Sequence, residues 1–332
     1  MAYYNSNSSR RASAALCVVC INSAGLLFLV GDAPMDLKPF LTLDQQLNLL
    51  KERGLIIDDD TATIKMLSKL NYYRLSGYSL TLKRGERFNS NIHFDDIMEI
   101  YNFDRELKAI MLCWLEEVEI SLRTHIAYTL GEIDPKSYLD STIFISEAHY
   151  EQFTAELSRA LSDNKNEAFI KHHNRKYNGK LPVWVIVETL SFGALSRFFS
   201  SLDVTLKKEI CSMYYHEIRY TYIENCLEGL VIVRNLCAHH SRLFNRGLPN
   251  AIRFPRRDFE FLTKDCGYSN DAVGKKLFFP AIILDRISND FSETFMTAFE
   301  DLQQKYKFVD IKYYGFLKDW SAILSYLNGE YK

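Results

Sequence analysis

The chain has 332 residues, which is enough for one large domain or two smaller ones. Hydrophobic residues make up 47% and charged residues 25%, and this balance excludes an intrinsically disordered chain. The net charge of −2 excludes a molecule that attracts nucleic acid over its whole surface, so a site for a polyanion must be a local patch.

The first 34 residues differ from the rest, because the segment 12–30 is apolar, free of charge and preceded by two arginines. The arrangement fits a signal peptide or a membrane anchor. It also fits a translation start at Met35, where a soluble-looking helix begins, and we favour this interpretation. We therefore expect a cytoplasmic protein, and the alternative is a protein anchored in a membrane through residues 12–30.

The seven cysteines are odd in number and do not form a disulfide framework. Five of them lie in apolar helical patterns, which predicts buried thiols in a reducing compartment; they are Cys113, Cys211, Cys226, Cys237 and Cys266. Only Cys17 and Cys20 form a CxxC pair. We therefore predict no metal site and no cofactor.

The N-terminal part carries signals for short helices. Thr42, with Gln45 three residues later, is typical of a helix start, and Gly54 is typical of a helix end. A second helix is predicted over TATIKMLSKL (61–70), a turn at Gly77 and a loop over RGERFNSN (84–91).

One long helix is predicted over 94–130, and Gly131 with Pro135 ends it. Its apolar residues recur at steps of three or four and form one stripe: Ile100, Phe103, Leu107, Ile110, Trp114 and Val118.

Helical spacing continues over 147–163, and over 182–202 with Pro182 in the first turn. Between these helices lies the basic connector 171–182, in which YNGK (177–180) indicates a turn. Further amphipathic stretches fill 271–332. Because strand signals are weak, the sequence predicts an all-α protein.

A last long helix is predicted over 217–245, closed by Gly247 and Pro249. It would carry the segment RNLCAHHSRLFNR (234–246). His240 then falls on the apolar face with Cys226, Leu230, Val233, Cys237 and Phe244, and we interpret it as a packed core histidine.

The polar side of this segment has a different character. Asn235 and His239 lie four residues apart on one side, Arg242 continues that edge, and the long side chain of Arg234 can reach it. A protonated histidine and nearby arginines repel one another unless an anion lies between them. Since guanidinium groups match phosphate, we expect a phosphate site.

Two stretches, 234–257 and 170–180, are rich in basic residues and contain no acid. Such patches suit contacts with a nucleic-acid backbone, although a solvated face balanced by acids elsewhere is the alternative. The expected RNA-binding residues are Arg246, Arg253, Arg256, Arg257, Lys171, Arg175 and Lys176.

The pattern R-N-x-x-x-H followed by H-x-R-L-F-N-R resembles the bacterial Abi-like (AbiD/AbiF) abortive-infection family of the HEPN superfamily of helical ribonucleases. The resemblance covers roughly 38–260, and Phe244 stands where we would expect tryptophan. It is carried by five blocks in the same order: 38–55, 71–78, 100–128, 181–199 and 234–246.

The resemblance implies that Arg234 and His239 are catalytic, together with Asn235. Glu119 and Arg123, four residues apart, would orient the site or form an intrahelical ion pair. His240 and Arg242 would support the site. The implied activity is metal-independent RNA cleavage by attack of the 2′-hydroxyl, in a homodimer that pairs two such motifs.

RNA is the implied substrate, and DNA, which lacks the 2′-hydroxyl, should not be cleaved. A regulatory antitoxin, either a protein or a small RNA, is a further class of partner that fits such an enzyme. Two alternative hypotheses stay open. One is a non-catalytic RNA-binding or scaffolding module of the same fold, and the other is a membrane-tethered defence protein.

The resemblance divides the chain into four parts. Residues 1–34 would be an apolar N-terminal extension and 35–95 an N-terminal helical region. Residues 96–265 would form an HEPN-like helical bundle with the catalytic site, and 266–332 a C-terminal helical region.

Overall fold

The computed structural model describes residues 39–216, 218–288 and 291–329, and this part of the chain is all-α, as predicted. The apolar segment 12–30, Met35, Cys17 and Cys20 lie outside the described residues. Within the described ranges, no helix combines the length and the hydropathy that a membrane crossing needs.

The α-helices are α1 Leu43–Glu52, α2 Asp60–Lys69, α3 Tyr72–Tyr78, α4 Phe94–Ile133, α5 Glu147–Asp163, α6 Ala168–Lys176, α7 Val183–Thr189, α8 Phe192–Ser201, α9 Val204–Tyr214, α10 Tyr220–Ala238, α11 Arg256–Glu260, α12 Phe278–Ile287, α13 Phe291–Lys305 and α14 Trp320–Asn328.

The 40-residue helix α4 runs through the core and packs against α3, α7, α8, α9, α10, α12 and α13. Four of its predicted stripe residues are buried and two, Ile110 and Trp114, are partly buried. The helix continues through Gly131 and ends just before Pro135, three residues later than predicted. Gly131 stays helical and leaves room for the ring of Trp184, whose Cε3 would lie 3.4 Å from a Cβ at position 131.

The predicted start and end of α1 are confirmed. The Thr42 side chain accepts the N–H of Gln45, the Gln45 side chain accepts the N–H of Thr42, and Gly54 adopts a left-handed φ of 87°. The predicted turn at Gly77 is wrong, because α3 continues to Tyr78. The predicted loop 84–91 is in part a two-stranded antiparallel hairpin, β1 (Lys83–Arg84) with β2 (Arg87–Phe88).

The apolar run 182–202 forms two helices, α7 and α8, and not the single helix that we expected. Leu190 is extended, and the Ser191 side chain accepts the N–H of Ala194 and so starts α8. The basic connector contains a helix, α6. The turn predicted after it is confirmed, since Asn178 and Gly179 have φ values of 51° and 75°.

The cysteine prediction holds for three of the five residues. Cys211, Cys226 and Cys237 are buried, and burial raises the pKa of each thiol to about 12. Cys266 is partly buried. Cys113 is exposed, because it lies on the solvent face of α4 and not on its apolar stripe.

Candidate functional site

Helix α10 ends inside the arginine-histidine segment, so the predicted continuation to residue 245 is wrong. Ala238 is the last helical residue, and His239 has φ −88° and ψ 14°. His240 is left-handed, with φ 55°. The N–H of Ser241 donates to the carbonyl of Leu236 (2.8 Å), and the N–H of His240 to that of Cys237 (3.0 Å). This Schellman pattern satisfies the last carbonyls and terminates the helix.

The early end changes the surroundings of the two histidines. His239 is exposed, as is Asn235 one turn before it, and both are accessible to a ligand. His240 is exposed as well, so its prediction as a core histidine is wrong. The left-handed residue turns the chain away from the helix axis, and position 240 leaves the face of Cys237.

Arg234 is held by a buried carboxylate of α4. Glu119 Oε2 lies 3.2 Å from Arg234 Nη2, and Glu119 Oε1 accepts from Arg123 Nη2 at 2.6 Å. The Glu119 side chain is 10% exposed and that of Arg234 is 32% exposed, so the pair reaches from the interior to the surface. Arg234 Nη1 also donates to Asn235 Oδ1 at 3.2 Å.

Arg123 fixes the other side of Glu119. Its Nη1 donates to the carbonyl oxygens of Val187 (2.6 Å) and Leu190 (2.8 Å), at the end of α7. Glu119 and Arg123 therefore form the intrahelical ion pair that the spacing allowed, and Glu119 in addition contacts Arg234. Arg123 binds Glu119 Oε1, which leaves Glu119 Oε2 for Arg234.

The chain after His240 is attached to two helices. Arg242 Nη1 donates to the Gly77 carbonyl at 2.6 Å, and a Cβ at Gly77 would lie 3.2 Å from Arg242 Nε. Arg74 donates to the His240 carbonyl, and Lys108 Nζ to the Ser241 carbonyl at 3.2 Å. Arg242 thus binds α3 instead of continuing the edge of His239.

Asp104 organises the turn that follows, and the sequence analysis did not select it. This fully buried carboxylate accepts the N–H groups of Leu243 (3.1 Å) and Phe244 (2.8 Å), the hydroxyl of Tyr78 (2.8 Å) and Lys108 Nζ (2.9 Å). The available signal was a charged pair four residues apart, Asp104 and Lys108, next to the apolar stripe of α4.

The basic residues near 253 do not gather around Arg234. The N–H of Arg253 donates to Asn225 Oδ1 at 2.7 Å. Asn225 is nine residues from Arg234 on α10, roughly 14 Å along the axis. Arg256 pairs with Glu260 at 2.8 Å, as the balanced-charge alternative anticipated. Arg257 is exposed at the start of α11, and Arg246 is exposed beyond the turn held by Asp104.

The second basic patch lies on α6, where Lys171, Arg175 and Lys176 are exposed. Helix α6 precedes α7, and Arg123 binds the C-terminal end of α7. Across the described ranges, no three His, Cys, Asp or Glu side chains are grouped so that they could hold a metal ion.

A family model described as "Abi-like protein" matches residues 65–245, which is more than half of the chain. No curated protein and no solved structure matches. The matched range includes Asp104, the Glu119–Arg123 pair and the segment from Arg234 to the turn at Phe244, but not the arginines at 253, 256 and 257.

Proposed function

Because this chain belongs to the Abi-like protein family, we propose that it is an HEPN-type endoribonuclease of bacterial antiphage defence. The family match supports a function of the abortive-infection type. The observation that carries the finer proposal is the array at the end of α10, where buried Glu119 holds Arg234 beside the exposed Asn235 and His239.

RNA contains its own nucleophile, the 2′-hydroxyl. Cleavage needs a base for its proton, an acid for the leaving 5′-oxygen, and positive charge near the phosphorane. Imidazole suits the proton transfers because histidine titrates near neutral pH. The guanidinium of Arg234 would bind non-bridging oxygens, with a stabilisation that grows as negative charge develops. The products would be a 2′,3′-cyclic phosphate and a 5′-hydroxyl.

The same array supports a site made by two copies of the chain. One chain supplies one His239, while the reaction needs both a base and an acid. His239 and Asn235 are exposed side chains, so a second surface is needed to enclose the scissile phosphate. A symmetric dimer that brings two such surfaces together provides both.

The test is cleavage of a labelled, unstructured RNA by the full chain in EDTA, beside Arg234→Ala and His239→Ala. Loss of His239 should reduce the rate by roughly 10²- to 10⁴-fold. Arg159→Ala is the matched control, since Arg159 is exposed on α5 and belongs to neither basic patch. DNA of the same sequence should stay intact.

Full cleavage by His239→Ala would remove His239 from the site and overturn the proposal. A parent chain that binds RNA without cutting it would favour the non-catalytic binding module.

A further inference from the structure

A cavity of about 640 Å³ lies where α6 and the turn after it meet the start of α7. We name it the Trp184 pocket. Trp184 is the second residue of α7, and Tyr177 is the first residue after α6. The side chains used below are Lys136, His173, Lys176, Tyr177, Lys180 and Trp184.

The pocket is basic. None of the described lining residues is an acid, and within the described chain none of the three lysines forms a salt bridge. All three lysines are exposed. The charges of Lys136 and Lys180 face solvent, while Lys176 Nζ lies over the Tyr177 ring, 5.2 Å from its centre. The alternation of lysine with aromatic rings fits a ligand that is both anionic and planar.

Both aromatic side chains are exposed to solvent. Trp184 is 51% exposed and Tyr177 is 44% exposed. Trp184 packs on the helix at Gly131, so the protein supports one part of the indole while the rest faces solvent. Tyr177 is backed by His173, whose ring centroid lies 5.2 Å away and whose Nδ1 hydrogen-bonds the Phe169 carbonyl. Supported, solvent-facing rings beside lysines are typical of platforms on which nucleobases stack.

The pocket is linked to the candidate site through rigid elements. The end of α7 is bound by Arg123, which holds Glu119, which contacts Arg234. Along α4, Gly131 lies 12 residues after Glu119, roughly 18 Å at 1.5 Å per residue. About five nucleotides cover that distance at the 3.4 Å rise of a stacked strand.

From these features we infer that the Trp184 pocket binds an unpaired nucleobase of the RNA, stacked on Trp184 and Tyr177, with flanking phosphates on Lys136, Lys176 and Lys180. The inference rests on the proposed function for the identity of the ligand as RNA. It adds the substrate class, which is single-stranded RNA, since a base inside a duplex offers no free face to a ring.

The test uses a 12-nucleotide 2′-O-methyl RNA, which cannot be cut because it lacks the 2′-hydroxyl. Binding to the full chain is measured by fluorescence anisotropy, for this strand, its duplex, and the strand with abasic positions. Trp184→Leu should weaken binding of the single strand by about tenfold, within the range for one lost stacked base. Trp184→Phe should restore most of the affinity. Lys176→Ala and Lys180→Ala, which leave the packing at Gly131 untouched, should each weaken binding and reduce its salt dependence.

A direct readout needs no variant. Trp320 is 4% exposed and Trp114 packs against Phe291, so Trp184 is the tryptophan most open to acrylamide. Bound RNA should protect it, and abasic RNA should protect it less. Tyr326→Leu, at an exposed aromatic of α14, is the matched control and should bind normally.

Unchanged affinity in Trp184→Leu, or equal binding of the intact and abasic strands, would overturn the inference. Duplex binding as tight as that of the single strand would overturn it also. These failures are distinct from failure of the proposed function: a chain that protects Trp184 but cuts no natural RNA keeps the pocket and loses the nuclease. A chain whose cleavage depends on His239, but whose RNA binding is unchanged in Trp184→Leu, keeps the nuclease and loses the pocket.

Discussion

The carboxylate of Glu119 lies between two guanidinium groups with different tasks. Arg123 is bound to backbone carbonyls at the end of α7, while Arg234 reaches the surface. A carboxylate this deeply buried is unfavourable without partners, and two cations supply them. In the proposed site Glu119 would therefore position Arg234 and would not itself touch RNA.

We predict that Glu119→Gln lowers the RNA cleavage rate by about tenfold, because a neutral amide orients Arg234 less strongly. The effect should be absent when Arg234 is already alanine, since residues that act through one another are not additive. Initial rates of the two single variants and the double variant measure this. Equal, additive losses in the double variant would show that Glu119 acts independently of Arg234.

His125 gives α4 a pH-sensitive contact. Its ring stacks on Tyr214 with centroids 3.9 Å apart, Nδ1 lies 3.2 Å from the Tyr215 hydroxyl, and burial lowers its pKa to about 4. In the unfolded chain this histidine takes up a proton near pH 6.5. Between these values the unfolded state binds more protons, so the free energy of unfolding falls as pH drops from about 6.5 to 4.

His125→Phe keeps the aromatic stack and removes the titration. We expect a smaller decrease in urea midpoint between pH 6.5 and 4.5 than in the parent chain. Identical pH profiles for the two proteins would contradict this.

Some helix boundaries could be predicted from local sequence signals, and others could not. The start and end of α1 follow from local signals at Thr42, Gln45 and Gly54. The end of α10 was missed because the left-handed position that usually holds glycine holds His240. The break between α7 and α8 was missed because no proline stands within the run after Pro182, and because Arg123 binds the Leu190 carbonyl from a distant part of the chain.

Some residues of the candidate site could likewise be predicted from the sequence, and others could not. Arg234, Asn235 and His239 were selected from a short motif, and the Glu119–Arg123 pair from the family resemblance of the block that contains it. Whether these residues cut RNA stays a prediction. The role of Asp104 was not accessible, because its partners at 243 and 244 lie about 140 residues further on. Local periodicity carries no information about such a contact.

Asp104 makes the turn at 243–244 depend on α4. We predict that Asp104→Asn destabilises the protein by about 2–4 kcal/mol, because an amide cannot accept from all four donors and leaves the charge of Lys108 without a carboxylate. Cleavage should fall as well, since this turn follows His239 directly. Urea denaturation and amide exchange at Leu243 and Phe244 measure the two effects. Unchanged exchange at both amides would contradict the anchoring role.

Across the whole molecule, the N-terminal helices and the candidate site are joined. Arg74 and the Gly77 carbonyl of α3 contact the chain after His240, and Tyr78 contacts Asp104. All of these contacts cross the predicted boundary between residues 95 and 96. That division stays a prediction, but α3 contacts the residues that directly follow His239.

The proposed site requires two chains. We predict that sedimentation gives twice the chain mass of 38.6 kDa, and that cleavage per chain falls once dilution separates the dimer. Initial rates over a range of protein concentrations test this against the sedimentation data. A monomer whose rate stays proportional to concentration would contradict a shared site.

At position 240, backbone stability and a role in the proposed site would favour different residues. A side chain with left-handed φ costs about 1 kcal/mol relative to glycine, which adopts this conformation freely. A selection for thermal resistance alone would therefore replace His240 with glycine and remove an imidazole next to His239. A selection for antiviral protection would work the other way if that imidazole assists the site. Position 240 is where laboratory evolution under the two pressures should diverge first.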